Sequence, residues 1–383
     1  MLALALSVAL LHQDEPVRLR TICKNGAAII VERMPDEPTI SVQLWASARS
    51  VPETPQSHGW RHLLEHIAAQ GPKGDVDVKL ESNGCFLRAR TFRDAMQFEV
   101  VVGPRQLDLA ISTLSNVLRD IEANQARIDR EVSIMKQEFA TYDDASRLSA
   151  GAWTQAYGES GLDPFGTIES ISKATPATLK TLQRNQFYAE NLVVSIAGPV
   201  GLKEATEKAT ELVGMKQGAA RGADTDRPQG KPGRIETDGF GEGRAAMVGS
   251  FDKPLTVGAL AFALAIANEF DGAFVTYTPS IRNGLVIVGQ TERQSGVGLR
   301  IDEVGAADLP RLFAIGKLLA NNWLGQYMRS ATGVAYIRGL LLCQSPGSKP
   351  ESMQAALDQL TYARFVEASQ LFAKDKAVTV VGQ

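Results

Sequence analysis

The sequence predicts an α+β protein built from two related halves. Three observations lead there. Strand-like alternation and helical periodicity interleave along the chain. The stretches FYAENLVVSIAG (residues 187–198) and FAKDKAVTVVG (372–382) each follow a long helical segment and end in a buried strand and a glycine. That pattern suggests a repeat of about half the chain. Between them, residues 216–234 are rich in Gly, Pro, Lys, Arg and Asp without an apolar period, which is linker composition. One unit then covers residues 17–215 and a second, shorter one covers 235–383.

The elements follow in order. Residues 17–23 and 27–33 flank Asn25-Gly26, a dipeptide that supplies the positive φ angles of a two-residue hairpin turn. Residues 39–48 alternate, with Ile40, Val42 and Leu44 set against Ser41 and Gln43, and read as a third strand. A loop follows at 52–57, and a helix starts near Ser57 or Gly59 and stops at Gly71-Pro72. Residues 76–83 read as a second helix, closed by Gly84. Strands at 86–91 and 96–102 pair around Arg93-Asp94. Residues 106–120 and 126–140 are helical, the first with Leu107, Ile111, Leu114 and Leu118 on one face. Pro176 starts a helix to Gln186, and 192–197 is a buried strand. A helix at 202–213 closes the first half. In the second half, strands are expected at 245–250, 274–277, 285–290 and 377–381, and helices at 257–270, 310–319 and 350–372.

Bulk composition narrows the function classes. The chain has 383 residues, 44% hydrophobic and 22% charged, as an ordinary globular protein does. A net charge of −3 gives no basic surface for nucleic acid. Cys23, Cys85 and Cys343 are too scattered for a disulfide framework and read as three buried thiols, with a single bridge as the alternative. Met1–Leu11 is an apolar run of signal-peptide length, too short to span a bilayer. No Lys or Arg precedes it and no clear cleavage site follows, so residues 1–16 leave export to a periplasmic space and a cytoplasmic chain both open. No other stretch is long and apolar enough for a membrane span.

The chemistry concentrates in His62-Leu63-Leu64-Glu65-His66. Of four histidines, three fall within residues 58–66. On a helix, His62 and His66 project from one face one turn apart, and Glu65 borders that face. Two imidazoles so placed can hold one Zn²⁺, with a glutamate beside them to handle a proton. H-x-x-E-H is the inverted form of the H-E-x-x-H zinc helix. Two histidines leave zinc short of a ligand. The remaining histidine, His12, is remote, so a carboxylate or a cysteine must complete the set. Residues 130–138 are the best source: Glu131 and Glu138 lie two helical turns apart on one face, beside an apolar stripe of Ile128, Val132 and Met135.

These residues resemble the pitrilysin/insulinase family of metallopeptidases, which includes the mitochondrial processing peptidases. The likeness runs over nearly the whole chain and is strongest from 17 to 215. Glu53-Thr54 and Gly59 precede the motif as in that family, and Phe165–Ile171 and Tyr188–Gly198 match further stretches. The resemblance implies two related α/β-roll domains, each a mainly antiparallel sheet covered by helices, together half of a clamshell. It implies a zinc endopeptidase subunit acting on peptides or unfolded segments. His62, His66 and Glu138 would be the ligands and Glu65 the general base. Glu131, grouped with Glu65 in the catalytic machinery, would support the metal site from behind. Substrate would add as a strand along Phe86–Thr91.

Two departures qualify this. The family strand usually reads Asn-Ala-x-Thr, and here it reads Arg88-Ala89-Arg90-Thr91. These residues are the candidate substrate contacts. Arg88 either favours acidic groups on the substrate or points outward into solvent. The family's second half often carries an Arg and a Tyr that bind the reacting carbonyl, but Ile287 stands where the tyrosine should and Arg282 is badly spaced. The implied assembly is a hetero-oligomer in which a homologous partner supplies the Arg/Tyr pair. The competing reading is a scaffold or assembly subunit of the same fold without turnover.

Overall fold

The strands form two sheets, and the second repeats the wiring of the first. A computed structural model describes residues 17–48, 53–72, 74, 76–218, 233–237, 244–251, 256–269, 273–278, 283–290, 304–344, 352–372 and 378–382. In the first half lie β1 (Arg18–Ile22), β2 (Ala28–Arg33), β3 (Ile40–Ser47), α1 (Trp60–Ala69), α2 (Val76–Glu81), β4 (Phe86–Thr91) and β5 (Ala95–Val102). They are followed by α3 (Leu107–Leu118), α4 (Gln125–Thr141), α5 (Asp144–Tyr157), α6 (Ile168–Ile171), α7 (Pro176–Gln186), β6 (Leu192–Gly198) and α8 (Leu202–Gly214). The second half holds β7 (Gly233–Thr237), β8 (Arg244–Phe251), α9 (Thr256–Asn268), β9 (Phe274–Thr278), β10 (Asn283–Gln290) and α10 (Leu309–Tyr327). It ends with α11 (Ala331–Gln344), α12 (Ser352–Asp358), α13 (Tyr362–Ser369) and β11 (Val378–Gly382).

The first sheet runs β1-β2-β6-β3-β5-β4 and the second β7-β11-β8-β10-β9. In each, one parallel pair (β2 with β6, β7 with β11) adjoins an antiparallel run. The two stretches noted as a repeat end in β6 and β11, which hold equivalent places. Among the described residues β1 has no counterpart, in keeping with the shorter second half. The fold is therefore the expected α+β pair of related, mainly antiparallel sheets. No helix of the described residues is long and apolar enough to cross a membrane.

Several local expectations need correction. The β1–β2 hairpin forms, but its loop spans Cys23–Ala27 rather than two residues. Gly26 N–H donates to Cys23 O at 2.9 Å and Cys23 N–H to Ala27 O at 2.8 Å. Only Gly26 takes a positive φ, of 91°. Asn25 instead spends its side-chain amide on Val213 O and Lys216 O at 3.0 and 3.1 Å, anchoring the loop to the end of α8. The expected helix at 350–372 is two, α12 and α13, divided where Thr361 caps α13 by accepting from Arg364 N–H. The expected linker loses its last residues to β7, which starts at Gly233; residues 1–16 and 219–232 lie outside the described residues. The three cysteines form no disulfide, and Cys23 is only half-buried.

Helices α5 and α11 were not expected, and they tie the halves together. Helix α5 belongs to the first half by sequence but packs on β8, β10 and β11. Helix α11 belongs to the second half but packs on β2, β3 and β6. This second exchange explains why the outer face of the first sheet is both polar and buried. Gln43 Nε2 donates to Thr332 O at 3.0 Å, Arg338 Nε to Glu32 at 2.9 Å, and Ala331 N–H to Glu37 at 2.9 Å. Gly339 sits against the Trp45 indole, where a Cβ would collide. The opposite face of the first sheet is apolar and buries Val42, Leu44, Phe98 and Val100 against α1, α3 and α8.

Candidate metal centre

Helix α1 is held at both ends by polar contacts, buried at its start and part-buried at its end. Its N-cap, Gly59, takes φ 85°, and a loop glycine, Gly166, packs directly on it; a Cβ on either would strike the other's backbone. The Glu53 carboxylate accepts from Gly59 N–H at 2.9 Å and from Arg61 Nε at 2.8 Å. Arg61, 1% exposed, also donates to Phe92 O at 3.0 Å and Arg93 O at 2.7 Å, fixing the helix to the end of β4. Burial pushes the Glu53 carboxyl up against the pull of Arg61. At the other end Arg127 of α4 donates to Ile67 O at 2.9 Å and Gly71 O at 2.8 Å. The angle between α1 and α4, and so the distance between their functional side chains, is set by these contacts.

The two helices bring His62, His66 and Glu138 together. His62 Nε2 and His66 Nε2 are 3.2 Å apart, and each is 3.5 Å from Glu138 Oε2. Ligands about 2.1 Å from a tetrahedral zinc are spaced about 3.4 Å from one another, so this triangle matches one face of such a shell. These three residues also form the potential metal-holding group found among the described residues. His66 Nδ1 faces Glu131 Oε2 at 3.5 Å, which keeps Nε2 turned toward the triangle. Glu131 is fully buried, and Arg130 Nε donates to its other oxygen at 3.1 Å.

The electrostatics describe a pocket that concentrates one positive charge. Burial and the charge on His66 push His62 down to about 4. Burial also works against a charge on His66, but Glu131 and Glu138 outweigh it and push that imidazole up to about 10. Burial alone would raise Glu131, yet donors from His66, Gln70 and Arg130 hold it down at about 2. The bond from His66 likewise lowers Glu138. Two carboxylates thus converge on a pair of imidazoles, of which His66 is the one favoured to hold a positive charge. Chemically, the donor set fits a divalent cation.

Glu65 is 7% exposed and accepts a hydrogen bond from Thr91 Oγ1 at 2.7 Å. Burial pushes its carboxyl up to about 7, against the pull of Thr91 and His66. A carboxyl poised there can take up and release a proton near neutral pH. Phe165 forms one wall, its ring 5.1 Å from His62 and stacked on Tyr142 at 4.4 Å. Its loop is pinned by Arg93, which pairs with Asp163 at 2.9 Å and donates to Gly161 O and Leu162 O.

Each expected site residue has a definite place. His62, Glu65, His66, Glu131 and Glu138 meet. Strand β4 lies at the edge of the first sheet, beside α1. Within it, however, the four candidate contacts divide. Thr91 does not face outward; its hydroxyl serves Glu65. Ala89 packs toward the core, while Arg88 and Arg90 project from the opposite face, with Arg88 NH1 3.8 Å from Glu99. Ile287 lies in β10, paired with Met247 and Val275. Arg282 is outside the described residues. Sequence reasoning missed the roles of Arg61, Arg93 and Arg127. For Arg61 a signal existed, since a cation four residues before Glu65 and three before Leu64 falls on the buried stripe of α1.

Comparison with known proteins gives the same direction. Residues 28–164 match the family model of insulinase, peptidase family M16. The mitochondrial-processing peptidase subunit beta of Blastocladiella emersonii is 26% identical over 209 residues, 51% of this chain and 44% of that protein. An uncharacterized zinc protease of Mycobacterium leprae is 25% identical over 224 residues, 56% of this chain and 50% of that protein. The chain thus aligns with half or less of the length of these relatives. Among solved structures, a protease from Helicobacter pylori superposes with a TM-score of 0.79 at 14% identity, covering 96% of this chain and 99% of that one. A peptidase M16 inactive domain from Pseudomonas fluorescens gives 0.72 at 16% identity, covering 95% and 97%. The periplasmic protease PqqL from Escherichia coli gives 0.71 at 15% identity, with 96% of this chain matched to 48% of that one.

Proposed function

Because residues 28–164 match the peptidase M16 (insulinase) family model, we propose that this chain is a zinc-dependent endopeptidase subunit acting on peptides or unfolded segments. The observation that supports this most is the triangle of His62 Nε2, His66 Nε2 and Glu138 Oε2, with edges of 3.2 to 3.5 Å. A zinc ion held there would supply the Lewis acidity that activates a water and polarises a peptide carbonyl.

The chain's own residues do the rest. Glu65 accepts the proton of the attacking water and returns it to the departing amine. Its Thr91 hydrogen bond aims the carboxylate, and Thr91 also ends the strand along which substrate would lie. Glu131 orients His66 and compensates its charge. Phe165 and the burial of His62 exclude bulk water from one side.

Half the constellation comes from elsewhere. PqqL is about twice the length of the matched region, and Ile287 offers no hydroxyl. A homologous partner subunit would supply the Arg and Tyr that bind the reacting carbonyl. The second reading, a scaffold subunit without turnover, is favoured by that same isoleucine and by the likeness to a domain described as inactive.

Metal analysis and peptide cleavage, with and without the partner, separate the two. Wild type should hold one zinc per chain. Glu65→Gln should keep it and lose cleavage, and Glu138→Gln should lose zinc. Absence of stoichiometric zinc and of cleavage by the paired protein would leave the scaffold reading standing.

A further inference from the structure

Strand β4 is an edge with two unlike faces. Among the described residues it pairs only with β5, in the register Phe86↔Val101 through Thr91↔Met96. Phe92 N–H donates to Ala95 O at 2.7 Å, which fixes the alternation of the ladder. Counting back, Arg90, Arg88 and Phe86 bond toward β5, while the main-chain groups of Thr91, Ala89 and Leu87 point to the open edge. An added strand would therefore hydrogen-bond at Leu87, Ala89 and Thr91. Its residues opposite Arg88 and Arg90 would occupy the non-hydrogen-bonded positions, where side chains of antiparallel neighbours approach most closely.

The side chains at those positions are cationic and exposed. Arg88 is 47% exposed, and its ion pair, Glu99 at 3.8 Å, already accepts from Ser41 and Gln43. Arg90 has neither an ion pair nor a side-chain hydrogen bond among the described residues. The phenol of Tyr327 on α10 lies within reach of its charge. The other face of β4 carries Leu87, Ala89 and Thr91 against α1, with Thr91 on Glu65. Two cations spaced one residue apart thus look at alternate residues of any strand docked here, and one carboxylate, buried beneath them, offsets only part of their charge.

We infer that the open edge of β4 selects extended peptides with acidic side chains at two alternate positions, read by Arg88 and Arg90. This takes the edge beside Glu65 as the substrate seat, and so rests on the peptidase reading. Opposite-charge cross-strand pairs of this kind each change affinity roughly 1.4- to fivefold, so two should give roughly two- to thirtyfold. The preference falls with salt because both guanidinium groups are exposed.

The test uses the full-length Glu65→Gln protein and labelled extended peptides differing only as Glu-x-Glu, Gln-x-Gln or Lys-x-Lys, with binding read by fluorescence polarisation at low and high salt. The expected order is Glu over Gln over Lys. The preference should vanish in Arg88→Gln/Arg90→Gln, and in Arg90→Glu the advantage of Glu-x-Glu over Lys-x-Lys should be lost. Equal affinities, a preference that survives in the double variant, or no binding of any peptide would overturn the inference. Cleavage by the wild-type protein is scored separately. Charge-selective binding without cleavage, when the partner subunit is present, would overturn the peptidase reading while leaving the selective edge in place.

Discussion

Helices α1 and α9 occupy the same place in their two halves, and almost nothing about them is alike. Each follows the central antiparallel strand (β3 or β8) and comes before the hairpin that ends at the sheet edge. Helix α9 is apolar around its whole circumference and carries no titratable side chain; Val257–Ala263 and Ala265–Ala267 are buried. Helix α1 buries Arg61 and Glu65 among Leu63, Leu64 and Ile67, and presents two histidines to α4. One topology thus gives a helix fixed by packing alone and a helix fixed by ion pairs and end caps. A site is added to a fold by the second kind, because charges that must face one another need partners that hold them there.

The largest contrast should be in turnover. Glu65→Gln should lower peptide cleavage about 10²- to 10⁴-fold while leaving the melting temperature unchanged or slightly raised, since a buried carboxyl is replaced by a neutral amide that still accepts from Thr91. Phe262→Ala in α9 removes a ring packed on Phe365 and Phe372 and should cost about 3–5 kcal/mol of stability. Its rate per folded molecule should stay within a few-fold of wild type. Steady-state kinetics beside thermal melts decide this; a matching rate loss in the α9 variant would end the division of labour.

Next comes the sensitivity of each helix to charge. Glu53→Gln keeps the volume but leaves Arg61 with an uncompensated buried charge, and should cost about 3–5 kcal/mol. A volume-conserving swap in α9, Leu260→Met, should cost less than about 1.5 kcal/mol. Urea denaturation of both variants gives the comparison directly. Equal costs would mean that α1, too, is held mainly by packing.

Metal removal should then act on one helix and spare the other. A cation bound at about 100 times its Kd stabilises the folded state by about 2.7 kcal/mol. Chelation should therefore speed amide exchange in α1 and α4, where the proposed ligands sit, and leave α9 protected. Glu138→Gln should show the faster exchange before any chelator is added. Uniform loss of protection across α1 and α9 would show that the halves open together.

The same contrast governs how far the sequence could be read. The helix of the candidate metal site stood out because its pattern is local: two histidines four apart and a glutamate between them need nothing from the rest of the chain. The strands were legible by alternation, and the repeat by its shared ending in β6 and β11. Helices α5 and α11 were not. Both mix small and apolar residues without a clear polar face, and α11 contains Gly333 and Gly339, which argue against a helix when read alone. No local pattern could say that each would cover the other half's sheet. That arrangement depends on Gln43, Glu32 and Glu37, polar residues in or beside strands, meeting the end and flank of a helix some three hundred positions later. The hydroxyl of Thr91 was not legible for a related reason: the sequence places the residue on the edge strand, but only the packing of α1 turns its hydroxyl to Glu65. The break at Thr361 had a usable signal, a threonine able to cap a helix, set within a longer periodic run that hid it.

The smallest effect concerns the contact that joins the halves. Arg18 Nε and Arg338 Nε both donate to Glu32 Oε2, at 2.7 and 2.9 Å, bringing α11 onto β2. Burial raises the Glu32 carboxyl, but the two guanidinium groups outweigh it and hold the group below its ordinary value of 4.5. A carboxyl lowered in the folded state adds stability that is complete above the unfolded value and is lost as pH falls through the folded one. Glu32→Gln should therefore cost about 1–3 kcal/mol at neutral pH. That gap should close as the pH drops below about 4.5, because the wild-type group then takes up its proton as well. Urea midpoints of the two proteins across that range measure the gap. One that stayed constant into acid would mean that Glu32 binds α11 as a neutral acceptor and that the halves are joined by shape, as α9 is, rather than by charge.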